Sequence, residues 1–397
     1  MSRIIEIHAL ETLPPNALNR GEDGSVKTAN YGGVTRMRVS SQAWKKAMRR
    51  DFKKYFKNTG LADNYALRSR EFRAMIIDRL GITADEETID NTTYELAVAL
   101  GLIENKAANK KAYMNKDEAY GQIPTMIYIS KRAWDEIATV ARKAIEAGDD
   151  YKTVIKENKK NLMTFLENDI VSEIALFGRM LASKETKGSS NAYDLDVDAA
   201  AQTAHALSVD KASLKIDYFT AVDDSQLNAN GAAHIGEKSF TSGTLYRYAN
   251  IDIDLLRENL KNDDALVEQT IRAWANAFVY SMPSGSQNSF AADVLPEAVM
   301  IVVRDGQAVN LMSTFSKPIS GTMKDGDVTY TRSIPTEAML AMWAAEGALA
   351  DYGIVNDNIS LFMNRSIIEE NEKTAPIYAV TDTMNKVIEN GVNAAMA

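Results

Sequence analysis

The sequence predicts an α+β protein on three observations. An apolar alternation of period two opens the chain, a basic amphipathic helix follows, and a long helical stretch precedes a return of strand-like alternation. In Arg3-Ile-Ile-Glu-Ile-His-Ala-Leu, Ile5, Ile7 and Ala9 alternate with Ile4, Glu6 and His8, a strand with one face more deeply buried. Pro14-Pro15 are expected to break it. Asn16 to Thr28 reads as a loop, and Thr35 to Val39 as a short strand after Gly32-Gly33.

Ser40-Ser41 offers an N-cap, beyond which Trp44, Ala47 or Met48, Phe52 and Tyr55 recur at spacings of three and four, the apolar stripe of a helix. Lys45, Arg49 and Lys53 share a second face, flanked by Lys46, Arg50, Lys54 and Lys57. From about Asn58 to Leu181 the pattern is mostly helical, with periodic segments at Arg68 to Leu80, Thr92 to Ile103, Ser130 to Glu146 and Tyr151 to Leu181. Asn105 to Lys116 reads as a polar linker among them, and Ser183 to Asn191 as an exposed loop. Lys215 to Val222 and Ser239 to Asn250 read as strands bracketing a loop with Asn228, Asn230 and Gly231, a hairpin-like excursion. Alternation returns at Val299 to Val303 after the turn-rich Pro283 to Gln287. Helices follow near Thr336 to Tyr352 and Thr381 to Ile388, and no fixed-period repeat occurs.

The 397 residues are 45% hydrophobic and 25% charged, which places the chain among globular proteins long enough for two or more cores. No apolar run reaches membrane-spanning length, and Arg3 and Glu6 interrupt what a signal peptide would need, so a cytoplasmic protein without membrane contact is expected. The absence of cysteine excludes disulfides, thiolate metal sites and cysteine nucleophiles. Three histidines, at positions 8, 205 and 234, do not suggest a histidine-rich metal centre, and no cofactor is expected; carboxylate-bound magnesium stays open.

The net charge of −9 speaks against nucleic acid, but its distribution does not. Between Lys27 and Lys57 ten basic residues (Lys27, Arg36, Arg38 and seven on the helix) face one acid, Asp51, for a local +9 against −18 elsewhere. Basic helix faces are often merely solvated. This one lacks the interleaved acids that pair at i to i+4, which tilts the reading toward a polyanion-facing surface.

Other candidates are weaker. Asp223-Asp224 with His205 and His234 are candidate ligands for metal-dependent phosphodiester hydrolysis, yet adjacent aspartates on a strand diverge, and in a turn they satisfy local backbone. His8 reads as packed rather than catalytic. No phosphate-binding glycine loop or nucleophile elbow occurs, so the chain is not expected to be an enzyme. Phe219-Thr220-Ala-Val222 and Met180 read by pattern as core, the alternative for the former being a wedge between nucleotides.

The segment Gly32-Gly-Val-Thr-Arg-Met-Arg-Val-Ser40-Ser-Gln42-Ala-Trp-Lys45-Lys-Ala-Met-Arg49 resembles the signature of the Cascade backbone subunit, the CasC family of type I-E CRISPR-Cas systems. Four further blocks share the resemblance: Leu18-Asn19-Arg20; Phe177-Gly-Arg-Met180; Asp217-Tyr-Phe-Thr-Ala-Val-Asp-Asp224 with Ala233-His-Ile-Gly236; and Phe240-Thr-Ser-Gly243-Thr-Leu-Tyr246-Arg-Tyr-Ala-Asn250. It runs in order to about residue 300 and is loose beyond. It implies a palm of RRM or ferredoxin-like kind in residues 1–57 and, with C-terminal helices, 241–397. It further implies a helical finger insertion in 58–181, a connecting web in 182–204 and a hairpin-like thumb in 205–240.

The resemblance also implies copies polymerising along one CRISPR RNA beside other Cascade subunits, with target DNA paired to the guide and a nucleotide displaced roughly every sixth position. By position, Arg20, Lys27, Ser40, Gln42, Lys45 and Arg49 match palm residues on the RNA backbone. Met180, Phe219, Thr220 and Val222 match those bracketing the displaced nucleotide. No RNP1-like run is present, so base stacking on the sheet is not expected. Ser286 stands in Pro283-Ser-Gly-Ser-Gln287-Asn288 where the family loop can carry a basic residue. Two rival readings are a type III-like backbone cutting RNA with magnesium at Asp223 or Asp224, and a protein-only scaffold.

Overall fold

A computed structural model describes residues 2–56, 63–181, 193–221, 234–325, 328–354, 358–364, 366–367 and 383–397. The chain is α+β. In order it forms strands β1 (Arg3–Asn16), β2 (Thr28–Tyr31) and β3 (Val34–Val39), helix α1 (Ser41–Phe56), β4 (Ala66–Ser69), α2 (Phe72–Leu80), α3 (Glu86–Ala99), α4 (Ala107–Tyr113) and β5 (Ile127–Ser130). Helices α5 (Lys131–Glu146), α6 (Tyr151–Asn168) and α7 (Ser172–Phe177) lead to strands β6 (Ala201–Thr203), β7 (Ala206–Ser208), β8 (Lys215–Ala221) and β9 (His234–Asp252). The remainder comprises α8 (Ile253–Asn259), α9 (Asp264–Tyr280), α10 (Gln287–Phe290), β10 (Ala298–Asp305), β11 (Thr322–Asp325), β12 (Val328–Thr331), α11 (Ile334–Gly347), β13 (Asn358–Met363) and α12 (Met384–Met396). Two units result: residues 1–55, 201–254 and 268–397, and residues 56–200 with 255–267.

The first unit is built on an antiparallel sheet ordered β13-β10-β1-β9-β7-β3-β2, with β6 and β8 also paired to β9. The opening alternation places β1 between β10 and β9, in register at Ile7↔Ile301 and Ile7↔Ala249. Because β1 is central it is buried on both faces, Glu6 and His8 as fully as Ile5 and Ile7, rather than more deeply on one. One face packs against α11 and the 3-10 turn Leu311–Phe315, the other against α12, where Gly391 lies on Ile301.

Burying Glu6 is tolerable because it is fully engaged: it accepts from Tyr248 Oη at 2.7 Å, Arg304 Nε at 2.7 Å and the Val309 N–H. Pro14-Pro15 do not end β1. They are exposed, and the strand absorbs them in a register shift between Leu13 and Asn16, which spares ladder bonds that proline has no N–H to donate. β2 and β3 join through Gly32-Gly33 at φ +61° and +78°, the left-handed pair a two-residue hairpin turn requires.

The second unit packs α2, α3, α5 and α6 around Phe72, Tyr94, Trp134 and Leu162 beside the β4–β5 pair. Ser130 caps α5 by accepting from Ala133 N–H at 2.9 Å. Two expectations change here. Arg68 and Ser69, expected to open a helix, end strand β4 instead, because residues 66–69 pair with the buried Ile127–Ser130. Residues 107–113 are a helix rather than a linker: Tyr113 is buried and ring-packed on Tyr94, an anchor the polar sequence hid. No helix among the described residues is long and apolar enough to cross a membrane.

Candidate nucleic-acid interface

The basic helix α1 is fixed from below. Trp44, Met48 and Phe52 are buried, Tyr55 only half so, and Trp44 joins Leu13, Met37, Val39 and Leu245 in one apolar cluster over the sheet. Ser40 is buried and caps the helix, its Oγ accepting from Ala43 N–H at 3.3 Å, while Gln42 beside it is exposed. Lys45 and Arg49 are half-buried one turn apart; Lys46 and Arg50 are exposed.

A short loop leads toward this helix. Asn19 organises it: its carbonyl accepts from Lys27 N–H at 2.8 Å and its Oδ1 from Ser40 N–H at 2.9 Å. Arg20, exposed, bridges to Val26, and Arg38 N–H donates to the Lys27 carbonyl at 3.0 Å. Arg20, Lys27, Ser40, Gln42, Lys45 and Arg49 thus lie on one run of loop, β3 end and α1.

The charge count from sequence is corrected at one position and qualified at two. Arg36 is fully buried and donates to the carbonyls of Tyr31, Ser208, Val209 and Phe315, so it is a structural clamp and not a surface charge. Asp51 accepts from Arg50 at 2.8 Å and pairs with Lys54 at 2.7 Å. It loses solvation on burial, but these two partners overcome that and hold its carboxyl at about 2. Lys57 lies outside the described residues.

A cleft of about 370 Å³ opens beside α1, lined by Leu18, Asn19, Lys46, Arg50 and the backbone of Pro283 to Gly285, with Arg50 donating to the Met282 carbonyl at 3.1 Å. In that loop Gln287 is consumed internally, its Nε2 donating to Asp293 Oδ1 at 2.7 Å and its Oε1 accepting from Ala292 N–H. Ser286 carries no charge, but Lys238 of β9 reaches the loop, 2.9 Å from Ser289 Oγ and 4.9 Å above the Phe290 ring.

The β8–β9 ribbon pairs Phe219↔Gly236 and Tyr218↔Glu237. The pattern reading of Phe219 and Met180 as core is overturned. Phe219 is 47% exposed, Thr220 is exposed, and Met180, in the other unit, is 85% exposed. Among the described residues β8 pairs with β9 alone, off the main path of the sheet, so its apolar residues stay largely exposed rather than entering a core. At Gly236 a Cβ would stand 2.5 Å from Phe219 Cζ, so the ring lies across the bare glycine backbone. Val222, Asp223 and Asp224 lie outside the described residues. His8 is buried and bonded to Tyr246 Oη at 2.8 Å, as packing predicts. No group of three metal-binding side chains occurs among the described residues.

Sequence reasoning did not place Lys238 at this surface, counted Arg38 only in the local charge, and weighed His205 only as a metal ligand. The exposed His205 Nδ1 accepts from Ser41 N–H at 3.2 Å, and partial desolvation, with Arg38, Lys27 and Lys45 close by, lowers its pKa below the usual imidazole value. Only the fold, by pairing β7 with β3, brings it there.

A cationic helix seated on an antiparallel sheet, in the same unit as the partly exposed β8–β9 ribbon, gives this α+β fold a surface whose charge suits a polyanion. The family model described as CT1975-like protein, a Cas family, matches residues 5–386, and the chain belongs to that family. The fold is similar to a chain of a structure described as "CRISPR RNA-guided surveillance complex, pre-nicking". That match has a TM-score of 0.75 and 27% identity, covering 99% of this chain and 100% of the other. A chain of a "CRISPR RNA-guided surveillance complex" shares the fold at a TM-score of 0.68 and 22% identity, covering 98% and 99%. No curated protein sequence matches the chain.

Proposed function

We propose that the chain is a non-catalytic, CRISPR RNA-binding backbone subunit of a type I-E Cascade-like surveillance complex, several copies of which line one guide and hold it for pairing with target DNA. The observation that carries this reading is the accessible basic and polar run Arg20, Lys27, Gln42, Lys45 and Arg49 on the loop and α1, with the buried Ser40 capping the helix between them; these are the positions that resemble the phosphate contacts of Cascade backbone subunits. The likeness to chains of RNA-guided complexes supports it over nearly the whole length.

The chemistry suits a guide holder. Lysine and arginine meet phosphates whatever the base, so contact is sequence-independent. In this reading the sheet-based unit is the palm, the helical unit the fingers and the β8–β9 ribbon the thumb. Phe219 and Thr220 with Met180 of a neighbouring copy bracket a displaced nucleotide, exposed apolar side chains being suited to a splayed base. Binding of single-stranded RNAs of unrelated sequence, measured against salt, tests the proposal. Similar affinities falling steeply with salt are expected, with a slope shallower by about two ions in Lys45→Glu/Arg49→Glu. Affinity that is weak, salt-insensitive and unchanged in the variant would reject it.

A further inference from the structure

We infer that His205 is a proton-linked phosphate contact of the RNA surface, neutral in the free chain and protonated when RNA is bound. This deepens the RNA-binding reading and rests on it.

The placement is geometric. Ala206, the next residue, pairs with Val39 at the end of β3, so His205 stands against the turn into α1, where its Nδ1 accepts from Ser41 N–H at 3.2 Å. Since Nδ1 accepts, the ring proton is on Nε2, and the imidazole is neutral. The charged groups around it come from three elements and have one sign: Lys27 before β2, Arg38 on β3 and Lys45 on α1. A free chain therefore has every electrostatic reason to leave His205 unprotonated.

A phosphate on Lys27 and Lys45 reverses that. It cancels the repelling charges and offers acceptor oxygens to an imidazolium. Protonation at Nδ1 also ends acceptance from Ser41, freeing that N–H for the same anion. One proton is taken up from solvent as one phosphate binds, so affinity rises as pH falls through the bound-state midpoint.

The test measures binding of a mixed-sequence single-stranded RNA to the full chain at fixed ionic strength, from about pH 8 to about pH 6, for wild type and His205→Asn, whose amide oxygen can replace Nδ1 as acceptor without titrating. Wild type is expected to tighten by up to about tenfold for each unit by which RNA raises the His205 midpoint, and the variant's pH profile to be flatter by that factor. NMR titration of the histidine ring, assigned by its loss in the variant, should show the midpoint higher with RNA than without. Parallel profiles in both proteins, or an unmoved midpoint, would overturn the inference and leave RNA binding standing. Failure of wild type to bind at any pH would remove the RNA-binding reading and the inference together.

Discussion

The Arg247 guanidinium lies 3.8 Å from the centre of the Trp44 ring while its Nη1 donates to Glu11 Oε2 at 2.9 Å, so a fully buried cation ties the basic helix to the central strand. Phe278 of α9 closes the other side at 4.6 Å. Burial raises the Glu11 pKa even with Arg247 beside it, the sign of a pair whose desolvation consumes much of its attraction. Arg247→Met should therefore cost about 3–5 kcal/mol by leaving Glu11 buried and unpaired, whereas Glu11→Leu/Arg247→Met should cost far less. Denaturant unfolding of both variants checks this.

Asp51 sets stability against charge. Its folded pKa of about 2 lies below the ordinary 3.8, so its contribution is present above the unfolded value and is lost as pH falls through about 2. Asp51→Asn should lose about 1–2 kcal/mol at neutral pH, given solvent screening at Arg50 and Lys54, and unfold with a weaker acid dependence. The same change should tighten RNA binding by releasing both cations.

Gly32 and Gly33 share a left-handed backbone, but their surroundings differ. A Cβ at Gly32 would stand 1.5 Å from the Ser316 carbonyl oxygen, whereas Gly33 has nothing within 4 Å. Gly33→Ala should cost about 1–2 kcal/mol from backbone strain alone, and Gly32→Ala distinctly more, as read by thermal unfolding.

Phe219→Ala removes a ring that is 47% exposed, so the unfolding free energy should change by less than about 1 kcal/mol. Chemical probing of RNA in the assembled particle should nevertheless lose its regularly spaced reactive nucleotides. Retention of that spacing would remove Phe219 from the proposed wedge.

What the sequence disclosed follows from where its signals are physical. α1 was legible because its cap residues and apolar stripe are local, and β1 because its alternation is long. α9 was not read although Val267, Ile271, Trp274 and Phe278 recur at helical spacing opposite a polar stripe of Asp264, Glu268, Arg272 and Asn276, so its signal was present in the sequence. The pattern recognised Met180 and Phe219 as apolar but could not tell that the fold leaves them exposed. Arg36 looked like surface charge because only the fold gathers the carbonyls it satisfies. His205 had no spacing signal at all, since its neighbours come from three separate segments.

The most direct measurement purifies the chain with co-expressed partners and guide, comparing particle size and protected RNA for wild type and Lys45→Glu/Arg49→Glu. Large particles that carry one protected RNA and collapse in the variant are the predicted result. Particles of unchanged size that carry no RNA in either protein would contradict the account.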